Sequence, residues 1–467
     1  MSARRALPAA PSRRGWCPGL DRPMPTGDGL LARIHPPLGI LSLAQLRAVA
    51  EAARLHGNGH VDITARANLQ IRGVTEATRG PLAAALTQAG LGDRRHDGGP
   101  QRLTLTSPLC GLDPEALIDG LALAARIEAL GHSVAPLPAK TLVVVEAGGR
   151  CTLPDAEADI HVRAVATGLT EIALATGAAP CPLGVWPEGE VPEVVAALLA
   201  AFAMTGARRV RDLSDAERAA LPPPSAGEGT LRSRGGRDEV PQEGSDGARS
   251  GSALHEGLAS SGRRAPLSAG LRPDRPSPTR GPPSPAEGGG KAGVIAVDAP
   301  FGRVTADALL RLAAVAEEAG APDIRLSPSR GVVLAVDPLR AAGALARLAA
   351  DFITAPDDPR RAVAACPGAP ACASGSTPTH ADAARLAEAF RPFAARGLTA
   401  HVSGCAKGCA EPRRRDLTLV GEAGRYGIVP NGAPGDAPAE WLTIEAALDR
   451  VRGAQTANLE DLFRTKP

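Results

Sequence analysis

Aromatic side chains are scarce in this 467-residue chain, which holds six Phe, three Trp and one Tyr. So few rings leave little for the stacking platforms that bind single-stranded nucleic acid. An excess of either charge is also missing. Lys and Arg number 52 against 50 Asp and Glu, a net +2, which gives no global electrostatic case for nucleic acid or a membrane surface. No stretch approaches the roughly 20 unbroken apolar residues of a membrane span. The N-terminal MSARRALPAAPSRRGW has arginines but no apolar run behind them, unlike a secretory signal. The expectation is a soluble, cytoplasmic protein without nucleic-acid or membrane partners. Eight cysteines are also few for a disulfide framework in a chain this long.

What is present is an ordinary share of core-forming residues, 44%, mostly Ala, Leu and Val. The length suits about three domains at roughly 150 residues each. One segment stands apart: of the 70 residues 222–291, 35 are Pro, Gly or Ser, and only one is Val. Such a composition cannot bury enough apolar surface to offset its ordering entropy. It reads as a disordered, low-complexity insertion that divides the chain in two.

The two parts resemble each other. A shift of 263 positions places Pro37, Gly39, Leu46, Ala50, Ala53 and Gly57 on Pro300, Gly302, Leu309, Ala313, Ala316 and Gly320. Ser42 and Thr305 stand as N-caps before apolar positions at helical spacing, and Ser42 with Gln45 makes a capping box. Gly57 and Gly320 stand where a C′ glycine would end each helix. Two alternating runs follow each helix, HVDIT and LQIRGV in the first copy, DIRLS and GVVLAV in the second, and these read as strands. Further on, Arg102 to Pro108 meets Arg361 to Pro367 at a shift of 259, and Asp159 meets Asp416 at 257. Ser107 thereby meets Cys366, and Gly148 meets Cys405. A duplicated fold with cysteines in one copy implies a single site at the seam.

Those cysteines are Cys366 and Cys372 in CPGAPAC, then Cys405 and Cys409 in CAKGC. Glycines beside each pair let backbone N–H groups approach thiolate or sulfide closely. Four thiolates are what a [4Fe–4S] cluster requires. Structural zinc prefers tight C-x2-C knuckles, which neither pair has, although zinc and free structural thiols stay open as alternatives.

The spacing and flanks resemble the sulfite and nitrite reductase family. So does Thr64-Ala-Arg66-Ala-Asn68-Leu-Gln70, which matches the T-x-R-x-N-x-Q signature of that family's first half. Three stretches resemble more closely its precorrin-3B synthase branch of aerobic cobalamin biosynthesis: RGWCPGLDRPMPTGDGLLARI from Arg14, RLTLTSPLCGLDP from Arg102 and HVSGCAKGCAEP from His401. The resemblance implies an α+β fold, two ferredoxin-like half-domains in a pseudo-two-fold repeat, each followed by an α/β domain. Its implied layout is an N-terminal extension over 1–24, half-domain 1 over 25–92 and α/β domain 1 over 93–221. After the insertion come half-domain 2 over 292–354 and α/β domain 2 over 355–467, which carries the cysteines.

The same resemblance implies a monooxygenase that uses O2 to oxygenate precorrin-3A at C20, with γ-lactone formation. A mononuclear non-haem iron is implied beside the cluster, with NADH or an electron-donating reductase as partner. The alternative is a sirohaem-dependent sulfite or nitrite reductase, and a second is a non-catalytic iron–sulfur or zinc protein. Sirohaem sulfite reductases carry K-x-K beside the bound anion, whereas this chain has Lys140-Thr-Leu142, one cation short. By resemblance, Arg66, Arg102 and Lys140 face the macrocycle as catalytic-site residues. Asn68, Gln70, Arg325, Arg330 and Lys407 are candidates for binding the substrate's polar groups. His35, His56, His60, His96 and His161 show no close-spaced ligand set for the mononuclear iron. His401 is expected to be a satisfied, partly buried strand residue, and Cys17 a small apolar one.

Overall fold

Two short strands exchange sides between the copies. In the computed structural model, which describes residues 16–153, 157–221 and 293–453, strand Ile40–Ser42 pairs with Asp323–Ser327, and strand Arg303–Thr305 pairs with His60–Ile63. The pairs Ile40↔Arg325 and Asp62↔Arg303 are repeat images, since 303 − 40 and 325 − 62 both equal 263. The first half-sheet runs Met24–Thr26, Gly29–Ile34, Leu69–Val74, His60–Ile63, Arg303–Thr305. The second runs Gly293–Asp298, Gly331–Val336, Asp323–Ser327, Ile40–Ser42. The opening strands Gly29–Ile34 and Gly293–Asp298 complete each half and were not expected from the sequence.

Helices Leu43–His56 and Ala306–Glu318 lie back to back in one core shared by both halves. Leu46, Val49 and Ala53 join Leu309, Leu312 and Ala316 there, all fully buried. Each buried Leu or Val contributes roughly 1.5–3 kcal/mol over an exposed one. Ser42 caps the first helix through Gln45 in the expected box, and Thr305 accepts from the Ala308 amide at the second. One helix end matches expectation and the other departs from it. Gly320 takes the left-handed conformation at φ +76°, but Gly57 is extended at φ −122°, and Gly59 supplies the positive φ of +78°. Gly57 is small for another reason: a Cβ there would lie 2.6 Å from the Arg72 carbonyl oxygen.

The repeat extends to strained backbone. Leu38 and Phe301 sit at φ +53° and +54°, and Ala67 and Arg330 at +51° and +68°, again 263 apart. Such values are uncommon for side-chain-bearing residues, so their recurrence marks loops held by their surroundings.

Each half is followed by a five-stranded sheet with its own core. Strands Thr104–Thr106, Val143–Glu146 and Ile160–Ala166 are parallel neighbours, continued antiparallel by Leu169–Leu174 and Cys181–Pro187. Strands Val363–Ala365, Ala400–Ser403, Arg415–Glu422, Arg425–Gly432 and Glu440–Leu442 repeat that order and sense. Leu105↔Val144 and Ala364↔His401 are register images at the offsets of 259 and 257. No described helix is long and apolar enough to cross a membrane. The expected insertion over 222–291 lies outside the described residues, as do residues 1–15 of the expected N-terminal extension.

Candidate functional site

Strand alternation builds the floor of the site. Val61, Ile63, Leu69 and Ile71 face the shared core, so Asp62, Gln70 and Arg72 turn to the opposite face. Register then aligns Arg33, Gln70, Asp62 and Arg303 in one row across four strands, with residues from both halves. A polar face of a sheet is ordinarily solvated. This one is covered: Arg72 is 2% exposed and Asp62 9%.

The cysteine loops provide part of the cover. Arg72 donates to Asp28 through Nε at 3.0 Å and Nη2 at 2.8 Å, and to Asp62 through Nη1 at 3.2 Å. Its Nη2 also reaches the carbonyl of Ala371, the residue before Cys372. Burial alone would raise the Asp28 carboxyl, but the bonded Arg72 guanidinium takes it below its ordinary value. The Gly27 amide donates to the same Ala371 carbonyl at 3.1 Å. A Cβ on Gly27 would stand 2.3 Å from the Pro370 oxygen, so this backbone approach admits no side chain. On the other side, Arg330 Nη2 donates at 2.7 Å to the carbonyl of Ala410, the residue after Cys409. One arginine from each half therefore holds a carbonyl next to one cysteine of each pair.

The four cysteines converge. Cys405 and Cys409 lie within electrostatic reach of Cys366 and Cys372. Crowding by protein and by the other thiols pushes Cys409 up to about 11, although part of its surface stays open. The Gly404 amide donates to Cys366 Sγ at 3.0 Å, and the Lys407 backbone amide faces the Cys405 sulfur. Gly368, between Cys366 and Cys372, has φ +60°, and a Cβ there would meet Thr379 Oγ1 at 2.3 Å. Among the described residues no three His, Cys, Asp or Glu side chains are close enough to hold a single metal ion. A lone tetrahedral ion needs thiolates about 3.8 Å apart, from metal–sulfur bonds near 2.3 Å. A cube takes one thiolate at each iron corner and so spreads them wider. Four thiols that share a site, with backbone N–H groups aimed at the Cys366 and Cys405 sulfurs, suit a cluster. The mononuclear iron finds no such ligand group among the described residues.

The expected basic residues divide into two sets. Arg66 donates through Nη1 to the Lys140 carbonyl at 3.3 Å, and Arg102 donates to the carbonyls of Ala67 and Arg66. Burial lowers the Arg102 guanidinium to about 10, still cationic at neutral pH. The Lys140 side chain is exposed. Asn68 is buried, and its Oδ1 has no hydrogen-bond partner. Gln70, with its amide oxygen turned to Arg33, accepts from Nε at 2.9 Å and Nη2 at 2.6 Å. This set gathers on the 64–70 loop. Arg325 does not join it: its guanidinium is buried, bonded to Asp323 at 3.0 Å and to the Cys110 carbonyl. Arg325 thus ties the second half to the first α/β domain. Arg330 and the exposed Lys407 belong with the cysteine loops.

Sequence reasoning missed Arg33, Asp62, Arg72 and Arg303. Period-2 alternation in HVDIT and LQIRGV exposes the polar face, but not the fact that a second layer covers it. His401 departs from expectation. It is 0% exposed with both ring nitrogens unpartnered, and burial holds it down to about 4 against the opposing pull of Glu411. Its strand pairs with Val363–Ala365 on one side and Arg415–Glu422 on the other, inside the second α/β sheet. Cys17 lies within electrostatic reach of Arg33 and Arg66, a more polar setting than expected.

Comparison with known proteins adds the family. A profile of the nitrite/sulfite reductase ferredoxin-like half domain matches residues 22–89 and 287–351, one match in each copy. Precorrin-3B synthase of a Sinorhizobium species is 34% identical over 92% of this chain and 86% of its own length. Ferredoxin–nitrite reductase of Synechococcus elongatus is 26% identical over 88% of this chain and 79% of its own. The structure of the Mycobacterium tuberculosis NirA protein superposes with a TM-score of 0.61 at 18% identity, covering 94% of this chain and 82% of the other. That last likeness concerns the fold alone.

Proposed function

This chain belongs to the precorrin-3B synthase family, within the nitrite and sulfite reductase superfamily, and from that premise we propose that it oxygenates precorrin-3A at C20. The reaction would use O2 and reducing equivalents from NADH or a reductase, and would close the γ-lactone. The observation that carries this is similarity to a precorrin-3B synthase along nearly the whole chain.

Cys366, Cys372, Cys405 and Cys409 would hold the cluster. A [4Fe–4S] cluster bound there supplies one-electron transfer. The rest is the work of side chains. Precorrin-3A is a polycarboxylate, and guanidinium groups pair with carboxylates in a planar fork. Arg66 spends one nitrogen on the Lys140 carbonyl and keeps its remaining donors for such a group. Lys140 offers an exposed ammonium beside it. Arg102 turns its fork onto the Arg66 and Ala67 carbonyls, so it fixes the loop that carries Arg66 and adds positive field. The unpartnered Asn68 Oδ1 can accept from an N–H of the macrocycle. Gln70 is already held by Arg33 and acts as an anchor for the floor. Together these groups would decide which meso carbon is presented to the oxidant.

The reductase alternative has one observation in its favour, the nitrite reductase similarity along most of the chain. Leu142 speaks against its sulfite form. In place of a second lysine, it is 3% exposed and packed in the core of the halves, with its amide bonded to Asp159. An anaerobic iron, sulfide and optical analysis with tetrapyrrole extraction tests the proposal. About four sulfides per chain without sirohaem supports it. Stoichiometric sirohaem overturns it in favour of the reductase.

A further inference from the structure

The floor row holds two arginines that differ in their partners. Arg303 is bonded to the Asp62 carboxylate. Arg33 stands two strands away from that carboxylate, roughly 10 Å at ordinary strand spacing. Its Nε and Nη2 are turned to the Gln70 amide oxygen, a neutral acceptor. The groups that act on its charge are Cys17 and, with the same sign, Arg66, and no carboxylate of the described residues is among them. Burial, joined by Arg66, lowers the guanidinium from its ordinary value against the pull of Cys17. A cation drawn into the protein is ordinarily paired, and one left uncompensated costs stability.

The carboxylates nearby are spent on other groups. Asp159 and Glu157 act on Arg66. Arg209 Nε bonds both Asp159 oxygens, at 3.0 and 3.2 Å, and the Leu142 and Val210 amides donate to the same carboxylate. Glu157 faces Arg209 at 3.9 Å and Arg211 at 3.5 Å. Glu128 acts on Arg102 and not on Arg33.

Both Arg33 and Arg66 keep donors in reserve. The bonds to Gln70 use one edge of Arg33, which leaves Nη1 and the outer hydrogen of Nη2 as a second planar fork. Arg33 Nη1 has no partner among the described residues and is not shut off from solvent. Arg66 bonds the Lys140 carbonyl through Nη1, and its Nε and Nη2 are open in the same sense. Two half-buried guanidinium groups with open forks suit carboxylates.

Building on the tetrapyrrole reading, we propose that Arg33 binds a peripheral carboxylate arm of the macrocycle, beside the arm taken by Arg66. The bound anion supplies the counter-charge that the protein withholds from Arg33, and Gln70 holds the fork in place. Arg33 comes from strand Gly29–Ile34 and Arg66 from the 64–70 loop. Two arms held at fixed points leave the ring one rotational setting, as presenting a single meso carbon requires.

Anaerobic calorimetric titration of precorrin-3A into the full-length protein tests this, in parallel with Arg33→Gln, Arg33→Lys and Arg66→Gln. Urea unfolding of each protein accompanies it. Arg33→Gln should weaken binding about tenfold. Arg33→Lys should weaken it about threefold, since it keeps the charge and loses the fork. Neither should lower the urea midpoint, because no ion pair is broken. Arg33→Gln binding as tightly as the parent, with Arg66→Gln weakened, overturns the role of Arg33 and leaves the tetrapyrrole reading standing. A lowered midpoint in both Arg33 variants, with affinity lost equally, makes Arg33 a structural anchor and overturns its binding role. No binding of precorrin-3A to the parent overturns both readings. Where Arg33→Gln fails to fold, Arg33→Lys decides: weaker binding at an unchanged midpoint supports the role, and binding equal to the parent overturns it.

Discussion

Arg303 of the second half and Asp62 of the first are joined by two hydrogen bonds, Nε to Oδ1 at 2.6 Å and Nη2 to Oδ2 at 3.1 Å. The same two residues are register partners on the exchanged strand. The pseudo-two-fold seam and the floor of the site are therefore one structure. Arg72 donates to Oδ2 of the same carboxylate, so the pair also braces the residue that holds the Cys372 loop.

That seam is testable as a coupled pair. Asp62→Asn leaves Arg303 without its carboxylate and Arg72 with Asp28 alone, and should cost about 3–5 kcal/mol of stability. Combining it with Arg303→Gln should cost clearly less than the sum of the singles, with a coupling of about 1–3 kcal/mol. Urea unfolding of the four proteins reads this directly. Additive costs would show that the two side chains act independently.

Arg72 should matter to the cysteine site beyond its share of stability. Arg72→Lys keeps the charge but cannot bond Asp28, Asp62 and the Ala371 carbonyl at once. The expected result is a folded protein with lower iron and sulfide content, or faster bleaching in air, than the parent. Arg325→Lys serves as the control, because its guanidinium holds Cys110 in the other domain. Equal loss of iron in both variants would mean that the effect is general loosening.

Two buried histidines predict acid sensitivity. Burial, helped by Arg303, holds His380 down to about 4, and burial holds His401 at about 4. In the unfolded chain both titrate near 6.5, so between about pH 6.5 and 4 the unfolded state binds more protons. Stability should thus fall as the pH falls through that window, by roughly 1–2 kcal/mol per histidine between pH 7 and 5. The urea midpoint at the two pH values measures it, and His380→Asn should remove part of the drop. A variant that keeps the full drop would assign it to other groups.

Leu142→Lys restores the lysine pair of the sulfite reductases in sequence only. The side chain points into the shared core, so the substitution should cost about 3 kcal/mol or more and give no sulfite reduction. A stable variant with new sulfite reductase activity would contradict this placement of residue 142.

The repeat was legible because its signals are local. Caps at Ser42 and Thr305 and alternation in the following strands need no knowledge of partners. The four cysteines were legible because small residues punctuate them. The polar floor was not, since alternation cannot say whether the outer face of a strand meets water or a second layer. The same limit hid the roles of Arg325 and Arg330. Both read as open basic residues, and both are spent on carbonyls of loops distant in sequence. The extended Gly57 shows a smaller failure of the same kind, in which an approaching Arg72 backbone decided the residue and not the helix end.

The central claim, that this chain oxygenates a precorrin, is tested most directly by incubating the purified protein with precorrin-3A, a reductant and 18O2. Mass spectrometry of the tetrapyrrole should show a product with one incorporated 18O atom, absent when Cys366 is replaced by Ala. Unchanged precorrin-3A, from a protein that instead reduces nitrite with bound sirohaem, would contradict the account.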